Sequence, residues 1–179
     1  MGLGSGLVCS IRLNSSLSEE QKALYQNPDD IRRVLNEFRT IALVGLSSDD
    51  QKASYFVGGY LKSAGYQIVP VNPKAETILG KKVFRSLADI PFPVDLVDVF
   101  RPAAECAELV EQAIAIKAKG FWQQLRIINL PAAERARSAG LISVVDMCVK
   151  MEHGRYSGGL HEAGMNSELI SARRVHRVY

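Results

Sequence analysis

Short apolar segments rich in β-branched residues recur along the chain, and most of them end at glycine, asparagine or aspartate. Each has the length of a buried strand. The five predicted strands span residues 40–44, 67–72, 95–100, 120–125 and 142–146. A lysine-rich loop follows the second segment, and we interpret residues 79–84 within it as one further short strand.

Stretches with helical spacing separate these strands. Asn27 and Pro28 pair an N-cap residue with proline at the first helical position, and an apolar stripe then continues to Phe38. Further helices are predicted to begin near Ser54, Pro102 and Pro131. Strands joined through helices of about ten residues or more predict right-handed crossovers. We therefore predict an α/β fold of the Rossmann-like, doubly wound type, a mostly parallel sheet with helices on both faces.

A glycine turn joins the first strand to the next helix. The strand stops at Gly45 and opens into Leu46, Ser47 and Ser48 before the helix near Ser54. Unpaired backbone N–H groups and the positive end of the helix dipole converge at such a turn, which favours an anion. A single glycine is a weak motif, because any open parallel sheet contains turns of this kind. The turn predicts a phosphate-binding site.

Three loops are expected to meet beside this turn. Ligands of such sheets bind beyond the carboxyl ends of the strands, where the strand order reverses. The loops Gly45–Lys52, Asn72–Lys74 and Phe100–Pro102 each follow a strand end. They contribute mainly hydrogen-bond donors and cations, namely Ser47, Ser48, Lys52, Asn72, Lys74 and Arg101. This set favours phosphate binding over catalysis, because it lacks nucleophile–base pairs.

The length of the chain predicts one domain with appendages. Its 179 residues, 47% of them hydrophobic, suffice for one core. We assign residues 1–27 to an arm and a short helix, which the capping-box spacing of Ser18 and Gln21 predicts, and residues 28–152 to the Rossmann-like domain. Residues 153–179 contain too many glycines for a helix and too many apolar residues for a free linker. We expect this C-terminal extension to dock on the body or on a partner subunit.

Charge and cysteine content narrow the class of protein. The net charge is +3, from 22 basic and 19 acidic residues that are mostly interspersed, which argues against nucleic-acid binding. No apolar run approaches the ~20 residues of a membrane span. The odd set of Cys9, Cys106 and Cys148 fits a reducing compartment, so we expect a cytoplasmic location. Symmetric dimers are the commonest oligomers, so we favour a homodimer.

An NAD(P)-dependent oxidoreductase is the alternative interpretation. Its fingerprint needs three glycines in a fixed pattern and an acidic residue about twenty positions later, which binds a ribose hydroxyl. Gly45 is followed by Leu46-Ser47-Ser48, and the second strand ends at Asn72 without a carboxylate. Gly58 and Gly59 do not restore the pattern, although they would let the helix approach the sheet closely.

Seven short motifs resemble, in order, those of the coenzyme A (CoA)-binding domain proteins, stand-alone relatives of the nucleotide domain of the succinyl-CoA synthetase alpha subunit. The resemblance extends over about residues 29–152. The motifs are Ile41-Ala-Leu-Val-Gly-Leu-Ser47, Lys52-Ala-Ser-Tyr55, Ile68-Val-Pro-Val-Asn-Pro73, Ser86-Leu-Ala-Asp-Ile-Pro91, Val94-Asp-Leu-Val-Asp-Val-Phe-Arg101, Trp122-Gln-Gln124 and Val145-Asp-Met-Cys148.

The resemblance implies a ligand, CoA or an acyl-CoA, and a site. Gly45, Ser47, Lys52 and Ser54 would line the pyrophosphate, Val71, Asn72 and Pro73 would border the adenosine, and Lys74 and Arg101 would lie near the remaining phosphate or the pantetheine. With their neighbours, the predicted binding residues are Gly45, Leu46, Ser47, Ser48, Lys52, Ser54, Val71, Asn72, Pro73, Lys74, Phe100 and Arg101. The sequence departs from the family at Arg126, where glycine is usual, and this leaves a ligand role of Gln124 open.

We predict neither a catalytic residue nor a metal site. Cys148 and His153 would suit a nucleophile and a base, but a buried cysteine that packs as a small apolar residue is far commoner. Glu152, His153, His161 and Glu162 match no compact metal-ligand spacing. The function expected from the sequence is therefore non-catalytic binding, sensing or an accessory role.

Overall fold

The computed structural model describes residues 16–157 of the chain. The predicted arm at the N-terminus and most of the C-terminal extension lie outside these residues. The strands are β1 (Thr40–Val44), β2 (Gln67–Val71), β3 (Thr77–Ile78), β4 (Lys81–Lys82), β5 (Leu96–Val99), β6 (Gly120–Gln123) and β7 (Ile142–Val145). The α-helices are α1 (Glu19–Tyr25), α2 (Pro28–Glu37), α3 (Ala53–Ser63), α4 (Cys106–Ala115), α5 (Leu130–Ser138) and α6 (Val149–Ser157). In this part of the chain, no helix is long and apolar enough to cross a membrane.

The five longer strands form one parallel sheet in the order β2-β1-β5-β6-β7. The chain builds outward from β1 to β2, then crosses back to place β5 on the other side of β1. The order therefore reverses between β1 and β5, and a ligand site is expected at the carboxyl ends of these two strands.

Helices cover both faces of the sheet. Ile41 and Leu43 of β1 point into a core with α2, α3 and α6. The alternate residues Ala42 and Val44 point into a second core with α4 and α5. This alternation follows from the two-residue period of a strand. The predicted Rossmann-like, doubly wound α/β fold is confirmed.

The segment predicted as a short strand over residues 79–84 is instead part of a small hairpin. Strands β3 and β4 pair antiparallel, with Ile78 opposite Lys81. Leu79 and Gly80 between them have φ of 53° and 71°. Two successive left-handed residues make the tight turn typical of two-residue hairpins, and that turn interrupts the strand. Phe84, just beyond the hairpin, forms a parallel bridge to Val71 on the outer side of β2.

The helix starts predicted from local signals are confirmed. Ser18 and Gln21 form the reciprocal capping box at the start of α1. The Asn27 side chain accepts hydrogen bonds from the first backbone N–H groups of α2, which continues from Pro28. Tyr25 anchors α1 on the body, where it is buried with Ala133 and Val145.

The C-terminal extension begins later than its glycine content indicates. Helix α6 continues to Ser157, so the expected boundary after residue 152 lies inside a helix. The ring of His153 packs edge-on against both Tyr60 and Tyr66, with centroids 5.5 Å apart in each pair. A glycine inside a helix costs about 1 kcal/mol, and this tertiary packing offsets the cost of Gly154.

Candidate functional site

Gly45 ends β1 in a conformation that suits only glycine. Its φ is +87°, and its N–H donates a 2.9 Å hydrogen bond to the carbonyl oxygen of Val71. A Cβ atom added at Gly45 would lie 2.7 Å from Cδ of Arg101 and 3.2 Å from the backbone carbon of Phe100. The glycine therefore lets the end of β5 approach the turn closely. It also adopts the positive φ without the steric strain that a side chain would add.

The turn after Gly45 is organised by its own side chains. The N–H of Ser47 donates to Oγ of Ser54 over 3.1 Å, which ties the start of the turn to the first turn of α3. Oγ of Ser47 accepts from the N–H of Asp49, and Oδ1 of Asp49 accepts from the N–H of Gln51. The turn is thus preorganised by a chain of short local hydrogen bonds.

The N-terminus of α3 has no side-chain cap. Its N-cap residue is Lys52, whose carbonyl accepts the N–H groups of Tyr55 and Phe56. Within residues 16–157, the N–H groups of Ala53 and Ser54 have no acceptor, and the first turn holds no acidic residue. A lysine at this position adds positive charge to the positive end of the dipole. The unpaired N–H groups and the lysine favour an anion at this helix end.

The loop after β2 is fixed to the glycine turn by Asn72. Its Nδ2 donates a 2.8 Å hydrogen bond to the carbonyl oxygen of Leu46. Its Oδ1 accepts a 2.8 Å hydrogen bond from the N–H of Lys74. The amide nitrogen therefore ties the loop after β2 to the glycine turn, and the amide oxygen holds the loop after β2 itself.

The loop after β5 completes the cluster. Its Phe100 N–H donates to the carbonyl oxygen of Val44 over 2.8 Å. Arg101 forms two 2.8 Å hydrogen bonds to the carboxylate of Glu105, and these bonds raise the pKa of the guanidinium. The prediction that the three loops are neighbours is confirmed. Arg101, however, already has an anionic partner, which a phosphate would have to share.

Several predicted site residues are inside the protein. Leu46, Ser54 and Val71 are buried, with Leu46 fully enclosed. The side chains of Leu46 and Val71 pack into the core, and Oγ of Ser54 accepts from the N–H of Ser47, so all three residues shape the turn. Ser47 and Asn72 are half-buried, whereas Ser48, Lys52, Pro73 and Lys74 are exposed. In the described part of the chain, neither ammonium group among them has an ion-pair partner.

Close approach of α3 to the sheet depends on Gly58. A Cβ atom there would lie 3.0 Å from methyl carbons of Leu46 and Leu79, and 3.1 Å from one of Leu43. The predicted close approach is confirmed at Gly58, while a Cβ at Gly59 would meet only Leu79, at 3.9 Å.

Asp98 and Gln124 form a buried pair that sequence reasoning did not join. Nε2 of Gln124 lies 2.8 and 2.9 Å from the two carboxylate oxygens of Asp98. Asp98 is fully enclosed, and burial raises its pKa to about 8 despite the opposing effect of this hydrogen bond. The available signal was Asp98 itself, because a carboxyl group inside an apolar strand needs a partner. The amide N–H groups of Gln124 are thereby directed at Asp98.

Arg126 occupies a left-handed conformation, with φ of 66°. Its N–H donates a 2.6 Å hydrogen bond to Oδ1 of Asp146, which fixes the loop between β6 and α5 beside the end of β7. Glycine adopts this φ without steric cost. The departure at Arg126 therefore keeps the backbone geometry that glycine suits.

The geometry gives no support to a Cys148–His153 nucleophile and base. Burial raises the pKa of the Cys148 thiol, which opposes thiolate formation. Nδ1 of His153 lies 2.9 Å from the hydroxyl oxygen of Tyr60, and burial lowers the pKa of the imidazole. Among residues 16–157, no group of three or more histidine, cysteine, aspartate or glutamate side chains is placed to hold a metal ion.

Two surface cavities differ in their relation to the three loops. One of about 540 Å³ is lined by Arg33, Lys119 and Ile142, at the amino ends of the strands and away from the loops. The other, of about 510 Å³, is lined by residues 82–85 beside the loop after β2. Only the second adjoins the carboxyl edge where ligands of this fold bind.

Comparison with known proteins places these features in a family. The profile of the CoA-binding domain matches residues 39–154. The Bacillus subtilis protein YneT is 35% identical over 130 residues, covering 72% of this chain and 96% of its own. A structure of a hypothetical protein from Pyrococcus horikoshii is 41% identical with a TM-score of 0.71, covering 73% of this chain and 92% of that one.

A larger relative carries a similar region within a longer chain. The ADP-forming acetate–CoA ligase II of Archaeoglobus fulgidus is 32% identical in an alignment 117 residues long, which covers 60% of this chain and 17% of the ligase. The family match lends no support to the oxidoreductase alternative. By the match over residues 39–154, the chain belongs to the CoA-binding domain family.

Proposed function

We propose that the protein binds CoA or an acyl-CoA, with the pyrophosphate at the glycine turn and the N-terminus of α3. The uncapped helix end carries this proposal. The N–H groups of Ala53 and Ser54 are unpaired within the described residues, and Lys52 stands where an acidic or hydroxyl cap is usual. A pyrophosphate would accept from these donors and neutralise the lysine.

The surrounding groups support this orientation. The switch point between β1 and β5 brings Arg101 to the turn, and Asn72 ties the loop after β2 to it. Adenosine would border Val71, Asn72 and Pro73, next to the exposed Lys74. The acetate–CoA ligase relative acts on CoA by its name, and the matched domain is shared with it.

We propose a binding, sensing or accessory role rather than catalysis. The pKa of the Cys148 thiol is raised by burial, and His153 is engaged with Tyr60. The unpaired thiols of Cys106 and Cys148 support a reducing, cytoplasmic location. A homodimer with the C-terminal extension at its interface is part of the proposal. Removing residues 158–179 would then halve the mass measured by light scattering, and an unchanged mass would exclude that interface.

A thermal-shift series tests the ligand. We expect the melting temperature to rise most with CoA, about equally with acetyl-CoA, and least with NAD, since no carboxylate ends β2 to bind a nicotinamide ribose. Asn72, which stands there, has its amide engaged with Leu46 and Lys74. A shift with NAD equal to that with CoA would contradict the proposal and favour the oxidoreductase alternative.

A further inference from the structure

A cavity of about 510 Å³ opens beside the loop after β2 and carries two basic side chains, Lys82 and Arg85. Its wall includes Phe84, whose carbonyl accepts the N–H of Asn72 over 3.0 Å. The guanidinium of Arg85 donates to the carbonyl oxygen of Pro73. The loop proposed to border adenosine is therefore one wall of this cavity.

We propose that this cavity binds the 3′-phosphate of CoA through Lys82 and Arg85, in place of Lys74 and Arg101, which the resemblance places near the remaining phosphate or the pantetheine. This inference rests on the proposed binding of CoA at α3. The end of β1 pairs with the end of β2, which is bridged to Phe84. Two strand spacings, ~10 Å, therefore separate the end of β1, where the glycine turn begins, from the segment at Phe84 that lines the cavity. The adenosine ribose of CoA bridges its pyrophosphate and its 3′-phosphate, and the long basic side chains cover the remaining distance.

Lys82 and Arg85 differ in how their charged groups are held for a phosphate. Nζ of Lys82 lies 5.6 Å from the centroid of the Phe84 ring and has no ion-pair partner among residues 16–157. Arg85 uses one donor on Pro73, which orients its planar fork and leaves other N–H groups for a ligand. A phosphomonoester carries nearly two negative charges at neutral pH, which two cations balance.

Two carboxylates also line the cavity. Oδ2 of Asp89 accepts hydrogen bonds from the N–H and the hydroxyl of Ser86, at 2.9 and 2.8 Å, so it is occupied by the local cap. The carboxylate of Glu76 has no ion-pair partner in the described part of the chain. Its negative charge would repel a phosphate. The proposal therefore predicts opposite effects from removing Glu76 and from removing Lys82.

Calorimetric titration with CoA and with dephospho-CoA separates the cavity from the helix end. We expect the wild type to bind CoA about ten- to a hundred-fold more tightly than dephospho-CoA, because charge-assisted hydrogen bonds to one phosphate contribute an affinity of this size. Lys82→Gln should reduce that ratio at least about three-fold while leaving dephospho-CoA affinity unchanged. Arg85→Gln should reduce the ratio by a similar factor, and any loss of its bond to Pro73 would lower the affinities for both ligands alike. Glu76→Gln should raise the ratio. Lys81→Gln is the matched control, since it removes the neighbouring charge outside the cavity lining, and it should leave the ratio unchanged.

The outcomes distinguish the two proposals. Equal affinities of the wild type for CoA and dephospho-CoA, or an unchanged ratio in Lys82→Gln, would overturn the 3′-phosphate site while leaving CoA binding in place. Absence of binding to both ligands would overturn the proposed function itself. A loss of dephospho-CoA affinity in Arg85→Gln with a normal ratio would assign Arg85 to the loop structure alone, and would count against its phosphate contact.

Discussion

The side-chain amide of Asn72 donates a 2.8 Å hydrogen bond to the carbonyl oxygen of Leu46. This bond joins the loop after β2 to the glycine turn after β1, two segments that have no sequence proximity. Asn72 also stands at the end of β2, where a dinucleotide-binding fold places a carboxylate. The same residue thus builds the proposed CoA site and disfavours the alternative ligand.

Removing this amide is expected to weaken both folding and binding. Asn72→Ala leaves the Leu46 carbonyl without its partner, so we expect a loss of roughly 1–3 kcal/mol in the free energy of unfolding and a higher Kd for CoA. Asn36→Ala, at an exposed position of α2, is the control and should not lower stability. Urea denaturation and calorimetry measure the two effects, and a CoA affinity equal to that of the wild type would contradict the role of this bond.

The buried Asp98–Gln124 pair makes stability depend on pH. Burial raises the pKa of Asp98 to about 8 from an ordinary value of 3.8. Between these values the folded protein holds a proton that the unfolded chain releases, so this contribution to stability is present at low pH and is lost as the pH rises through about 8. Asp98→Asn removes this pH-dependent contribution, because asparagine does not titrate. Urea denaturation from pH 5 to 9 should therefore show a shallower fall in stability for the variant.

Two other groups with shifted pKa values also make stability depend on pH, but the variant and the wild type share them. Burial raises the pKa of Glu152, which adds a contribution of the same sign as Asp98. Burial lowers the pKa of His153, whose contribution is instead lost as the pH falls. The difference between variant and wild type therefore isolates Asp98. Parallel pH curves would show that Asp98 does not titrate in this range.

The left-handed backbone at Arg126 predicts an asymmetric response to substitution. Arg126→Gly should keep or slightly raise the melting temperature, because a left-handed non-glycine residue costs about 1–2 kcal/mol. Arg126→Val should lower stability by roughly 1–3 kcal/mol, because a β-branched residue is strained most at this φ. Thermal denaturation of the two variants is the measurement. A valine variant as stable as the glycine variant would rule out strain at this position.

Truncation before and after the last turn of α6 should have different effects on stability. A protein that ends at residue 157 retains the packing of the His153 ring against Tyr60 and Tyr66. A protein that ends at residue 152 loses the ring contacts and the hydrogen bond to Tyr60, so it should unfold several degrees lower. Equal melting temperatures would show that this packing adds nothing to stability.

Local signals were sufficient to predict most of the fold. The N-caps at Ser18 and Asn27, the glycine at residue 45 and the strand-length apolar segments depend on neighbouring residues, so the sequence shows them directly. The meeting of the three loops followed from the general rule for parallel sheets. The glycine content after residue 152 predicted no helix there, whereas α6 continues to Ser157. The packing of the His153 ring against two tyrosines outweighs the weak helix propensity of this segment.

Features that depend on pairing between distant residues could not be predicted. Asp98 and Gln124 are 26 residues apart, and only the register of β5 with β6 brings them together. The cavity at Lys82 and Arg85 exists because the chain turns at Leu79 and then runs along the outer side of β2. No local pattern encodes that path.

The most direct test of the central claim is a two-dimensional amide NMR spectrum of the ¹⁵N-labelled protein during titration with CoA. Hydrogen bonds to the pyrophosphate should shift the amide signals of Ser48, Ala53 and Ser54 most, with smaller changes at Asn72 and Lys74. Amides at the amino ends of the strands, such as those of Lys119 and Ile142, should not move. Shifts centred on that opposite edge, or no shift at Ala53 and Ser54 at saturating CoA, would contradict pyrophosphate binding at α3.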